Sequence, residues 1–474
     1  MINRKVIFTI IAALMVTGAQ AKVRLPHLIS DGMVIQQNSQ VRLWGWDDPG
    51  KSIKVYTSWE EGYTETTADT SGKWSLEVKS PQASFTTLSI TFDDGEQTTV
   101  NNVLSGEVWV CAGQSNMEMP VKGFSNCPVE NYNQEVLNAA DGIRSVKLPA
   151  IMSTVPLEDS DCEWRVSSPE TVGEFSATGY FFAKMVRKAL DIPVGLIEAN
   201  KGGSRVESWL NEENLKANTT EELDSVKMIP LFEYDFLRPM LWGYGTFNPI
   251  LNYTVKGILY YQGCSNVGAP AGQYTERLKL LVEQWRQDFR QGELPFYFVQ
   301  IAPYDYGGLD GLLGALLREQ QFNATKVIPN SAMVCTNDLV YPYETKQIHP
   351  TKKQAVGERL AQLALNKTYG KKQYICESPT FESMSISNDT VFVQLDYKSD
   401  GINRFEDMHG FEVAGEDKVF HKANAYHFWL QGIVITCPEV KKPVAVRYCF
   451  KNFEIGNVGN LGGLPLVPFR TDDW

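Results

Sequence analysis

Between residues 107 and 369, short apolar runs alternate with segments of helical periodicity, and this alternation constrains the fold more than any other feature. The runs "VWVCA", "IPVGLIEAN", "KGILYYQG", "PFYFVQIAP" and "SAMVCTND" read as buried strands. Among them lie "GYFFAKMVRKAL", "YTERLKLLVEQWRQDF", "LLGALLREQQFNAT" and "TKKQAVGERLAQLALNKTY", whose apolar residues recur every three to four positions. Apolar strands joined by amphipathic helices bury both faces of a parallel sheet, so the expected class is α/β.

The flanks follow a different rule. From residue 22 to 105, "QVRLWGW", "SIKVYTSW", "KWSLEVK" and "TLSITFDD" alternate with period two between turn residues, as in a small antiparallel sandwich. From about 372 to 474 the β pattern returns in "TVFVQLDY", "FEVAG", "GIVITC" and "AVRYCF". A chain of 474 residues exceeds one hydrophobic core. The expected divisions are a leader over 1–21, a β domain over 22–105, an α/β domain over 106–371 and a β region over 372–474. The leader is read from basic Arg4 and Lys5, the apolar run over residues 6–16 and "AQA" at 19–21. That run is too short to span a bilayer, and no later segment is apolar enough to do so. Export to the periplasm or the exterior, with cleavage near Ala21, is expected.

A formal charge of −12 with no basic run excludes the electrostatic footprint of a nucleic-acid binder and leaves a neutral or sugar-type ligand. Eight cysteines contain no C-x-x-C pair, and the five histidines are scattered, so neither a metal nor another cofactor is expected. In an oxidising compartment, Cys437 and Cys449 on neighbouring C-terminal strands are the first candidates for a disulfide.

In an open α/β sheet the ligand lies beyond the carboxyl ends of the strands, so those ends are where chemistry should gather. The first ends in "GQSNM", placing Ser115 in a tight turn; Met117 stands where a G-x-S-x-G elbow has its second glycine. The second ends in "ANKGGSRVESW", with adjacent Gly202 and Gly203. The third ends in "YQGCSN", with the carboxamides of Gln262 and Asn266. The last ends at Asp338, and the loop beyond it carries His349 in "QIHPTKK". A serine attacks only when a base takes its proton, and imidazole suits that role near neutral pH. An oxyanion needs preorganised donors, which the Ser115 N–H, a Gly202 or Gly203 N–H and a side-chain amide would supply. Arg205 and Trp209 are candidates for lining a sugar site. The competing readings are an ordinary turn serine at 115 and a helix-start histidine at 349. Cys111 and Cys264 are read as structural thiols.

The ordered blocks "GQSNMEMP", "KGGSRVESW", "YYQGCSN" and "IHPTKKQAVGERLA" resemble those of the sialate O-acetylesterase family, within the SGNH (GDSL-like) hydrolases. The resemblance implies an SGNH-type parallel sheet sandwiched by helices, with Ser115 as nucleophile and His349 as base. It also implies an oxyanion hole from Ser115, Gly202 or Gly203 and an amide within 262–266, Gln262 ahead of Asn266. O-acetylated sialic acids are the first substrate it implies, with acetylated xylan or pectin second and a carbohydrate-binding relic as the rival. Two positions depart from the pattern. Lys346 stands three residues before His349, where SGNH enzymes commonly have aspartate. This leaves Asp338, then Glu344, as the candidate acid, or a dyad steadied by Gln347 or a backbone carbonyl. Cys264 stands where relatives often carry glutamate.

Overall fold

The computed structural model describes residues 22–139, 141–398, 401–403, 407–429 and 431–474. The expected leader over 1–21 lies outside the described residues. Among the described residues, no helix is long and apolar enough to cross a membrane.

The central sheet is built from β1 (Gln97–Gly113), β2 (Ile143–Lys147), β3 (Trp164–Val166), β4 (Val194–Asn200), β5 (Gly257–Tyr261), β6 (Phe296–Val299) and β7 (Ser331–Val334). Their spatial order is β7-β6-β5-β1-β4-β2-β3. All pairings are parallel except that of the edge strand β3 with β2. Val108, Trp109, Val110, Cys111 and Ala112 in β1 are wholly buried, as expected of a strand covered on both faces. After β4 the chain crosses to the other side of β1 to form β5. The carboxyl ends of β1, β4 and β5 therefore meet at the topological switch point of the sheet.

The helices behave as their periodicity requires. Helix α2 (Ala177–Leu190) starts at Ser176, whose Oγ accepts the Gly179 N–H at 3.1 Å and so caps the helix. Helix α3 (Gln273–Phe289) buries Leu278, Leu281, Val282, Trp285 and Phe289 along one stripe. Helices α4 (Leu313–Val327) and α5 (Lys353–Leu363) complete the cover. The expected α/β class with its helix-sandwiched parallel sheet is the one observed.

Strand β1 is unusually long, at 17 residues. Its first half pairs antiparallel with Ser84–Asp93 and its second half with β4 and β5. The position 105/106, where a domain boundary was expected, thus lies inside one continuous strand. In the C-terminal region two four-stranded sheets share one core, with Val391, Val393, Ile433 and Ile435 from one meeting Phe411, Val413, Val446 and Tyr448 from the other. The expected Cys437–Cys449 disulfide is not formed: all eight cysteines are free. The two residues follow Gly432–Thr436 and Ala445–Tyr448, which belong to different sheets rather than to neighbouring strands.

Candidate active site

Strand β1 ends at Gly113, whose φ is +133° and where a Cβ would sit 2.3 Å from the Tyr261 carbonyl oxygen. Glycine alone permits this approach of β1 to β5 just before the serine. The Gln114 side chain then accepts the Gly263 N–H at 2.8 Å, stitching the first loop to the third. Ser115 opens a one-turn helix, α1 (Ser115–Glu118), so its own N–H lies at the open start of the turn. The side chain is half-buried, and its hydroxyl makes no hydrogen bond with any described residue.

The loop after β7 brings His349 to this serine. The Asn116 amide donates to the Ile348 carbonyl at 3.0 Å, joining positions 232 residues apart in the chain. The Phe124 ring meets the imidazole edge-on with centroids 5.3 Å apart. Nε2 is buried without a partner among the described residues, and Nδ1 lies 3.9 Å from the Cys127 sulfur. Burial, and then the charge of Lys353, lower the His349 pKa to about 4, so the ring is neutral at pH 7 and able to accept a proton. Lys353 is itself fully buried and donates to the Pro350 carbonyl at 2.5 Å. Its desolvation brings its pKa down to about 7, opposed by Glu344.

The acid proposed for His349 is a correction. Both oxygens of Asp338 are taken by the Arg359 guanidinium, at 2.8 and 2.6 Å, so this carboxylate anchors α5 instead of the imidazole. Glu344 accepts the Tyr341 and Thr351 N–H groups at 2.7 and 3.1 Å and acts as a loop strut. Gln347 accepts the backbone N–H of His349 at 3.2 Å, leaving the ring itself untouched. The atom beside Nδ1 is the Cys127 sulfur, on a residue that lies in none of the recognised motif blocks.

On the oxyanion side, Gly202 is well placed: a Cβ on it would lie 3.5 Å from the Ser115 Cβ. Its N–H donates to Glu118 Oε2 at 2.7 Å, so a carboxylate sits where an oxyanion would be received. Gly203, at φ +78°, packs instead against the Phe236 ring. Neither carboxamide is free to donate. Gln262 Nε2 is spent on the Ser204 carbonyl at 3.0 Å and on Asn266 Oδ1 at 2.8 Å. Asn266 Nδ2 is spent on the two oxygens of Glu207, at 2.9 and 3.3 Å.

The sugar-lining candidates are likewise internal. Arg205 makes a bidentate pair with Glu221, both bonds 2.9 Å, and donates to the Leu237 carbonyl. Trp209 is wholly buried, with Nε1 on the Ser204 hydroxyl at 3.0 Å. Burial raises the pKa of the Cys111 and Cys264 thiols, which suits neither to attack. Sequence reasoning assigned no role to Asn116, Cys127, Glu118 or Lys353, which lie in or beside the motif blocks without a residue type that marks them as reagents.

A late-loop histidine delivered to a strand-end serine at the switch point of a parallel sheet defines an SGNH-like hydrolase architecture. Residues 105–366 match the family described as carbohydrate esterase, sialic acid-specific acetylesterase, and the chain belongs to that family. It is similar to a carbohydrate acetylesterase from Xanthomonas citri, at 31% identity and a TM-score of 0.85, over 96% of this chain and 100% of that one. It is 28% identical to human sialate O-acetylesterase over 326 residues, which are 63% of this chain and 60% of the human protein's length. With the mouse sialate O-acetylesterase it shares 25% identity over 463 residues, 82% of each chain.

Proposed function

We propose that this chain is an exported serine esterase that removes O-acetyl groups from carbohydrate through an acyl-enzyme. The observation that carries the reading is a Ser115 hydroxyl unengaged among the described residues, on a turn tied through Asn116 and Ile348 to the loop of a neutral His349 whose Nε2 is likewise unpartnered there. Ser115 Oγ attacks the acetyl carbonyl carbon while its proton passes to His349 Nε2. The tetrahedral oxyanion is received by the Gly202 and Ser115 N–H groups, which requires the Glu118 carboxylate to leave Gly202. The imidazolium then protonates the departing sugar alkoxide, and water releases acetate by the same steps in reverse. The family description and the curated relatives support O-acetylated sialic acid as one substrate to test; the leader-like sequence pattern over residues 1–21 supports export.

Ser115→Ala should lower release of p-nitrophenol from p-nitrophenyl acetate by about 10⁴-fold or more while the thermal transition is retained. Turnover within tenfold of wild type would overturn the mechanism. A fluorophosphonate label tests the rival reading of a carbohydrate-binding relic: Ser115 is modified in an esterase and untouched in a relic.

A further inference from the structure

Strand β4 places Glu198 and Asn200 on one face of the sheet, two residues apart. Both are almost wholly buried. Glu198 Oε1 accepts the Ser145 hydroxyl at 2.6 Å and the Ser176 N–H at 2.9 Å, whereas Oε2 has no partner among the described residues. Neither the oxygen nor the nitrogen of the Asn200 amide has one either. Buried polar groups are normally satisfied, so three unpaired atoms at one place mark a point where a water or a ligand group can be bound.

Both residues border a cavity of about 450 Å³, the size of a small-molecule site, with these atoms just beneath its surface. Leu148, Pro149, Ala150 and Phe175 give it an apolar flank. It adjoins the reaction centre at two points. Glu118 forms part of its wall and holds the Gly202 N–H beside Ser115. Asn200 is paired with Gly113, two residues before the serine.

The chemistry of the wall selects the ligand. A carboxylate oxygen accepts a hydroxyl, and a free carboxamide both donates and accepts, which matches neighbouring hydroxyls of a sugar; the apolar flank matches its C–H faces. The wall also carries the acids Glu118, Asp161, Glu163, Glu174 and Glu198. Arg165 is paired with Glu163 at 2.8 Å and Lys122, from outside the wall, with Glu174 at 2.5 Å, which leaves Lys147 facing Glu118, Asp161 and Glu198. A ligand bearing its own carboxylate is repelled there, and a neutral one is not.

We propose that this cavity is a glycan subsite for a neutral, hydroxyl-rich sugar residue of the acetylated substrate, held by Glu198 and Asn200. The assignment rests on the esterase reading above. The test compares kcat/KM on an O-acetylated xylo-oligosaccharide with kcat/KM on p-nitrophenyl acetate, which has no sugar to place. In Asn200→Ala and in Glu198→Gln the ratio of the two should fall by about tenfold or more, through KM on the glycan. A ratio within twofold of wild type in both variants overturns the subsite.

A wild-type measurement covers the case in which the variants do not fold. Raising ionic strength screens the wall, so kcat/KM on O-acetylated N-acetylneuraminic acid should rise while that on the neutral oligosaccharide stays flat. Equal salt responses, or wild-type preference for the sialic acid at low salt, overturn the neutral assignment. An active Ser115→Ala would instead overturn the esterase reading; an inactive one with unchanged ratios overturns the subsite alone.

Discussion

The loops that follow β4 and β5 form one wall at the carboxyl end of the sheet and the loop that follows β7 forms another; both carry polar side chains, yet these are bonded in opposite ways. In the wall built after β4 and β5, the amides of Gln262 and Asn266, the carboxylate of Glu207 and the guanidinium of Arg205 all have internal partners. In the other arm, His349 presents a buried nitrogen with no partner among the described residues and a ring kept neutral by its surroundings. A buried polar group whose bonds are all used is a strut; one with a bond left over is available for chemistry. Glu118 stands between the two, holding the Gly202 N–H on one side and lining the glycan cavity on the other.

The largest effect that follows is at His349. His349→Ala should reduce kcat on p-nitrophenyl acetate by about 10³-fold or more, approaching the loss in Ser115→Ala because the two act as a unit. A loss under tenfold would mean that the arm is as structural as the wall, and the contrast would collapse.

A smaller and different effect is expected at Asn266. Asn266→Ala removes the acceptor of the Val206 N–H at 3.0 Å and the donor to the Glu207 carboxylate, both buried. Leaving such groups unpaired costs about 2–4 kcal/mol, read as a lower midpoint in urea denaturation. Activity per folded molecule should stay within tenfold of wild type. Loss of activity with undiminished stability would move Asn266 from strut to reagent.

These contrasts also show what the chain made legible. Apolar runs long enough to fill a two-sided sheet announced β1, β4, β5 and β6, and the strand-end rule put Ser115, Gly202 and His349 at one place. Strand β2 went unrecognised because "IRSVK" carries Arg144 and Ser145, whose burial depends on distant partners: the Gly32 and Asn102 carbonyls and Glu198. For the same reason the internal bonding of Gln262, Asn266, Arg205 and Trp209 was not legible. Their side-chain types fit catalysis or sugar binding, and only the three-dimensional arrangement shows their bonds to be spent. Glu198 and Asn200 are the converse, hidden inside an apolar strand that gave no hint of unsatisfied atoms.

The smallest effect is a displacement along the pH axis, and it tests why the arm stays reactive. The base form of His349 is the neutral imidazole, so activity is lost as pH falls through its folded-state pKa. With that pKa lowered to about 4, kcat/KM should hold from neutrality down toward pH 5, below the limb of an unperturbed histidine near pH 6.5. Lys353, with a pKa near 7, carries its charge throughout this acid range and adds to the depression. Lys353→Met keeps the bulk and removes the charge. The limb should then move to higher pH, yet remain below that of a solvated histidine because burial is the larger cause. A wild-type limb at about 6.5 would show His349 to be solvated, and its reactivity would then need a source other than the buried, unpaired nitrogen on which the contrast between the walls depends.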